Sequence, residues 1–231
     1  MKALANTREL AAKRLQQLRK MGIDHHQSQF GQDALIGDVI FRGSPGFFVD
    51  VGARDGKVIS NTYYLERIGW SGIAIEPHPE LFERLKRTRQ CKSVNVAASD
   101  SRGMVEFVKF VEEPLGHSGI LGTFRDLEEL DHKSHEVIPV PSLPLAEILD
   151  GAPDIDYLDI DVEGHELEVL KGMDFERHNV GVIGVEAHQE DAKNIRLIDD
   201  FLSRFNYHPF LQVGVDRFFS RSGSLVNAQQ N

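Results

Sequence analysis

The stretch Phe47-Phe48-Val49-Asp50-Val51-Gly52-Ala53-Arg54-Asp55-Gly56 decides how the rest of the chain is read. Four apolar residues around one acid have the composition of a buried strand, and the two glycines that follow end it in a tight turn. In open α/β sheets ligands bind outside the carboxyl ends of strands, so a glycine turn after the first strand is where a nucleotide-like cofactor is expected. Downstream, Asn61 to Gly69 has a helical pattern, and Gly72 to Pro77 is a short buried strand ending in the acid Glu76. Strand, glycine turn, helix, strand and acid make a βαβ unit. The alternation continues through a helix at Glu80 to Arg89, a strand at Ser93 to Ala97 running on to Ala98-Ser99-Asp100, and an extended run at Met104 to Val111. Such alternation predicts a mostly parallel sheet with helices on both faces.

The second half resumes the pattern. Val137 to Val140 reads as a strand, Leu143 to Leu149 as a short helix, Ile155 to Asp161 as an acid-rich strand, and Val162 to Gly172 as a helix closed by its glycine. Val180 to Glu186 is another buried strand, followed by Ala187-His188. Asp191 to Phe205 is amphipathic, and Tyr207 to Leu211 with Val215 to Ser220 reads as a hairpin about Gly214. Residues 112–136 break the rhythm. A connection of that length is a candidate lid over the substrate or, equally, an irregular surface insertion with a short helix near Phe124 to Leu130. The domain expected from these elements spans 28–221. Ahead of it, residues 1–27 carry a basic amphipathic helix at Lys2 to Met21, a candidate homodimer element. After it, 222–231 is a polar tail.

Composition narrows the function. The net charge of −10 argues against a general nucleic-acid grip, which needs a basic surface. A single cysteine, Cys91, excludes an internal disulfide and suits a reducing compartment, and no run approaches the ~18 apolar residues of a membrane span. A cytoplasmic location is therefore expected. The turn also narrows the cofactor. It lacks the third glycine of the dinucleotide fingerprint, and Gly56-Lys57-Val58 cannot complete a phosphate-binding P-loop. Acids flank the turn at Asp50 and Asp55, Glu76 stands where a carboxylate accepts both ribose hydroxyls, and Asp100 could reach an adenine amino group. Carboxylates repel a pyrophosphate and suit an ammonium and a sulfonium, so the set describes S-adenosylmethionine better than NAD or ATP.

VDVGARDG with SNTYYLE, IEPHPELFERL, NVAASD and LDIDVEGHELEVLKG resembles the FkbM family of S-adenosylmethionine-dependent methyltransferases over roughly residues 28 to 220. The resemblance implies a class I methyltransferase, Rossmann-like seven-stranded sheet with a C-terminal antiparallel hairpin, and methyl transfer to oxygen on sugars, polyketides or other small molecules. One departure is Arg54, where a small or amide side chain is commoner. The expected cofactor set is Asp50, Gly52, Ala53, Asp55 and Gly56 from the turn, Asn61 beyond it, Glu76 and Pro77, Ala98, Ser99 and Asp100, and Asp159.

For the chemistry, an acceptor hydroxyl needs a base or a metal. His188 is favoured as base because an imidazole titrates near neutrality, with Asp161 as second catalytic candidate. Asp161, Glu163, Glu186 and His188 could together ligate Mg²⁺ or Mn²⁺; alternatively Asp161 and Glu163 cap the helix that follows. Alternation places Asp159 and Asp161 on one side of their strand, and His165 points away from Glu163 and Glu166. Two other classes stay open at this point: an NAD-dependent oxidoreductase or epimerase, and a noncatalytic cofactor-binding protein of the same fold.

Overall fold

A computed structural model describes residues 26–111, 118–124, 130, 132, 134–188 and 190–221. The N-terminal helix expected at Lys2 to Met21 and the tail at 222–231 lie outside the described residues, as does most of the helix expected near Phe124 to Leu130.

Strands β1 (Phe47–Val51), β2 (Ser71–Ile75), β3 (Lys92–Val94), β8 (Ile155–Ile160), β9 (Val180–Glu186), β10 (Tyr207–Val213) and β11 (Asp216–Arg221) form a seven-stranded sheet. Its order is β10-β11-β9-β8-β1-β2-β3. β1 pairs in parallel with β2 and β8, and β9 pairs in parallel with β8. The C-terminal hairpin inserts β11 antiparallel against β9. The central strands are buried on both faces, which is why they read as continuous apolar runs. Period-two alternation divides the side chains: Val49, Val51, Leu158 and Ile160 enter one core, Phe48 and Tyr157 the other.

Helices pack on these faces: α1 (Gln32–Ala34, continuing as a π-helical segment Leu35–Ile40), α2 (Tyr63–Arg67), α3 (Pro79–Thr88), α4 (Leu145–Ile148), α5 (Glu166–Lys171) and α6 (Ala192–Ser203). Asp191 caps α6 by accepting from the Asn194 amide at 3.0 Å, as its place before an amphipathic run requires. In α1, the Asp33 carboxylate accepts from the amides of Gln27 and Ser28, and the Gln32 side-chain amide donates to Asp216 in the C-terminal hairpin.

Three expectations are corrected. The run Ser93 to Asp100 is two strands: β3 edges the main sheet, whereas β4 (Ala97–Ser99) belongs to a second, four-stranded sheet in the order β4, β7 (His135–Pro144), β5 (Gly103–Phe110) and β6 (Gly119–Ile120). The break falls at Asn95, whose side-chain amide donates to the carbonyls of Glu76 and Pro77. The described parts of 112–136 are not a separate excursion. Gly119–Ile120 is β6 and pairs with β5 (Gly103–Phe110), while His135 begins β7 (His135–Pro144), which runs antiparallel to β5. The helix read from Val162 begins only at Glu166, because Glu163 (φ 57°) and Gly164 (φ 110°) turn the chain left-handed first.

Candidate functional site

A cavity opens at the carboxyl ends of β1 and β2. Its walls are Val51, Gly52 and Arg54; Ile75, Glu76, Pro77 and Leu81; Ala97 and Ala98; Phe107; Ser118, Gly119 and Ile120; and Asp161, Val162, Glu163 and His165. The second sheet thus covers what the first sheet's turns enclose.

The glycine turn is built for close packing. Gly52 has φ 90°, and a Cβ there would lie 1.8 Å from the Asp161 carbonyl oxygen, so only glycine lets the β1 turn pass under the end of β8. The amides of Gly52 and Ala53 both donate to the Ile75 carbonyl at 3.0 Å. The Arg54 amide donates to Glu76 Oε2 at 2.7 Å. Three successive amides that a P-loop would aim at phosphate are therefore committed within the protein. Asp55 also turns inward on its own loop, accepting from the amides of Lys57 and Val58. Gly56 adopts φ 78° against Leu85 and Arg89, again without room for a side chain.

Glu76 faces the cavity at the end of β2 while 3% exposed. Burial raises its pKa to about 7, against the opposing pull of the His78 and Arg54 amides that donate to its two oxygens. Each oxygen keeps a lone pair for a further donor. Asp50 and Asp159 face each other across the β1–β8 register beneath this layer and do not line the cavity. Thr62 donates to Asp50, and the Arg89 guanidinium lies 3.8 Å away. Burial still raises the Asp50 pKa. Asp159 accepts from the Tyr157 hydroxyl at 2.6 Å and from Asn61 at 3.2 Å, and burial with repulsion from Asp50 raises its pKa further. Asp50, Asn61 and Asp159 therefore form a buried polar layer supporting the turn.

Asp161 lies just past the end of β8, close enough to Asp159 for their carboxyls to repel, and both lie near Asp216. The Asp161 amide donates to the Val51 carbonyl at 3.0 Å, and Asp161 lines the cavity. Burial, then repulsion from Glu186, Glu163 and Asp216, holds the Asp161 carboxyl well above its ordinary range. Of the third-strand residues, Ala98 lines the cavity, whereas Asp100 is exposed and accepts from Ser101. His188 pairs with Glu186, Nε2 to Oε1 at 2.9 Å, outside the cavity lining. The divalent-cation set is corrected: among the described residues no group of three or more His, Cys, Asp or Glu side chains is placed to hold a metal ion. The Glu186 oxygen expected to ligate is engaged with His188 instead. Nor do Asp161 and Glu163 cap α5; Glu166 accepts from the Gly164 amide in that place.

Sequence reasoning missed Leu81, Phe107, Ile120 and His165. The first three are ordinary core residues by pattern. His165, set aside as pointing elsewhere, is 6% exposed and bridges two hydroxyls, Ser99 at Nε2 and Thr123 at Nδ1, both 2.9 Å away.

Solved structures with similarity to this chain include a chain of the fibrillarin/Nop5p complex (14% identity, TM-score 0.43, covering 84% of this chain and 81% of that one). A TehB-like SAM-dependent methyltransferase from Corynebacterium glutamicum is another (15%, 0.43, 93% and 98%). No curated protein matches the sequence. Among the described residues no helix is long and apolar enough to cross a membrane. Residues 50–209 match the methyltransferase FkbM domain, from the acid of the glycine turn to the first strand of the hairpin, and the chain belongs to that methyltransferase family.

Proposed function

We propose that the protein is an S-adenosylmethionine-dependent methyltransferase acting on a hydroxyl of a small-molecule or sugar acceptor, with residues 28–221 as the catalytic domain. The observation that carries this reading is the cavity's chemistry. Three acidic residues, Glu76, Asp161 and Glu163, line it, and the amides of Gly52, Ala53 and Arg54 are already spent. A pyrophosphate would find none of the turn's three amides free to donate, whereas a ligand with ribose hydroxyls and an ammonium meets carboxyl acceptors. The same features disfavour the NAD-dependent alternative.

Glu76 would accept the ribose hydroxyls, and Gly52 and Arg54 would bound the turn side. Pro77, Leu81, Ala98, Phe107 and Ile120 would enclose the base by apolar contact, and Asp161 and Glu163 would face the cationic end. Ala53, Asp55, Gly56 and Asn61 act one layer out by fixing the turn, as do Asp50 and Asp159. When bound, S-adenosylmethionine supplies an electrophilic methyl group on a sulfonium. The protein's part is to align the hydroxyl and remove its proton, and alignment alone can supply up to ~7–11 kcal/mol. His188 takes that proton, and the Glu186 carboxylate at 2.9 Å stabilises the imidazolium formed. Asp161, on the cavity wall, orients the hydroxyl.

Titration calorimetry with S-adenosylmethionine, S-adenosylhomocysteine and NAD tests the cofactor: the first two should bind and NAD should not. Turnover on a panel of hydroxylated acceptors separates an enzyme from a noncatalytic binder, and His188→Gln should lower kcat with cofactor affinity retained. The single cysteine supports a reducing, cytoplasmic setting. Sedimentation with and without residues 1–27 tests the homodimer expected from the N-terminal segment.

A further inference from the structure

We propose that His165 is a positioning residue for cofactor binding, tying the β6 segment down onto the cavity; this rests on reading that cavity as the S-adenosylmethionine site. Three of the pieces of chain that wall the cavity are distant in sequence: the turn after β8 (Asp161 to His165), the β4 strand (Ala97, Ala98) and the Ser118 to Ile120 segment. Among the described residues that last segment meets its sheet in a short ladder, Phe107 with Ile120 and Val108 with Gly119, flanked by the Leu121 amide on the Glu106 carbonyl and the Phe110 amide on Ser118 Oγ. His165 belongs to the first piece and reaches the other two. Its Nε2 lies 2.9 Å from Ser99 Oγ at the end of β4, and its Nδ1 2.9 Å from Thr123 Oγ1. Thr123 sits in the turn closed by its own amide on the Ile120 carbonyl at 3.0 Å, so the tether acts directly on the wall residue Ile120.

The imidazole suits this task. Burial lowers its pKa, leaving a neutral ring with one N–H donor and one acceptor. Hydroxyls donate and accept, so either tautomer satisfies both bonds. The approach is forced by the backbone: Glu163 and Gly164, both at positive φ, deliver His165 to the cavity just before α5 begins. A non-glycine residue held there is the kind of local strain found where structure serves a site. Both ring nitrogens are occupied by protein hydroxyls, so His165 acts through the wall it holds.

The test uses the full chain and S-adenosylhomocysteine titrations of wild type, His165→Ala, His165→Asn, His165→Gln and Thr123→Val. The shorter Asn places its amide near the Nδ1 position and can keep the Thr123 bond. The longer Gln reaches toward Nε2 and can keep the Ser99 bond instead. Affinity should fall about tenfold in His165→Ala, by a similar factor in Thr123→Val, and recover in His165→Asn but not in His165→Gln. Thr123→Val added to His165→Ala should cost nothing further. A purely structural role would make affinity follow thermal stability with no Asn/Gln difference, and that result overturns the proposal. Should His165→Ala not fold, unchanged affinity in Thr123→Val overturns it as well. Failure of wild type to bind would remove the cofactor reading and this proposal together; wild-type binding with unaltered variants removes this proposal alone.

Discussion

Glu76→Gln, examined across pH, probes both the ribose contact and the proton that controls it. Burial lifts this carboxyl from 4.5 to about 7. The group is almost fully buried, so solvent screening does not discount the difference, which corresponds to about 3 kcal/mol. Because the folded pKa lies above the unfolded one, the folded state holds the extra proton between pH 4.5 and about 7. That contribution to stability is complete below pH 4.5 and is lost as pH rises through about 7. Ligand binding has the opposite sign. Ribose hydroxyls donating to Glu76 favour the ionised form, so affinity for S-adenosylhomocysteine should rise with pH, by up to ~tenfold per unit below 7, and level off above it. Calorimetry at pH 6 in buffers of different ionisation enthalpy should register release of close to one proton per ligand. Glu76→Gln should abolish that release and weaken binding at pH 8 by ~30-fold, since hydrogen bonds to a charged group are worth more than those to an amide. Proton release unchanged in Glu76→Gln, or absent from wild type, would refute the assignment.

Gly52→Ala should cost ~3 kcal/mol or more in urea unfolding, because its Cβ would lie 1.8 Å from the Asp161 carbonyl oxygen at a φ of 90°. Ile59 is a β-branched residue at φ 61° and 44% exposed, so Ile59→Asn should stabilise the protein by ~1 kcal/mol and raise Tm by ~2–4 °C in a thermal melt. The Cys91 thiol is pushed up to about 12 by burial, so a thiol reagent at pH 8 should leave the folded protein unlabelled and label it rapidly in urea.

The parallel sheet was legible because its strands are buried on both faces and their apolar runs end in glycines or acids. Gly52 and Glu76 were legible as cavity residues for the same reason, since a strand's end can be located from its composition. What failed was inference across places where a regular element stops. The strand read through Ser93 to Asp100 concealed a change of sheet at Asn95, where the side chain bonds the carbonyls of Glu76 and Pro77. Asp55 and Asp100 have the residue type expected of ligand contacts, yet their carboxylates accept from their own turns. Nothing in a linear pattern distinguishes an acid facing a ligand from one capping a loop.

The sequence alone therefore determined the βαβ frame, the glycine turn and the place of Glu76, because local composition, burial period and backbone freedom are written residue by residue. Only the tertiary structure decided which acids reach the cavity and what covers it. Asp161 joins the cavity lining where β8 ends, Asp159 stays beneath in a bond with Tyr157, Phe107 and Ile120 come from a second sheet, and His165 comes from the turn before α5. Those contacts join segments far apart in the chain, and their geometry is set by packing.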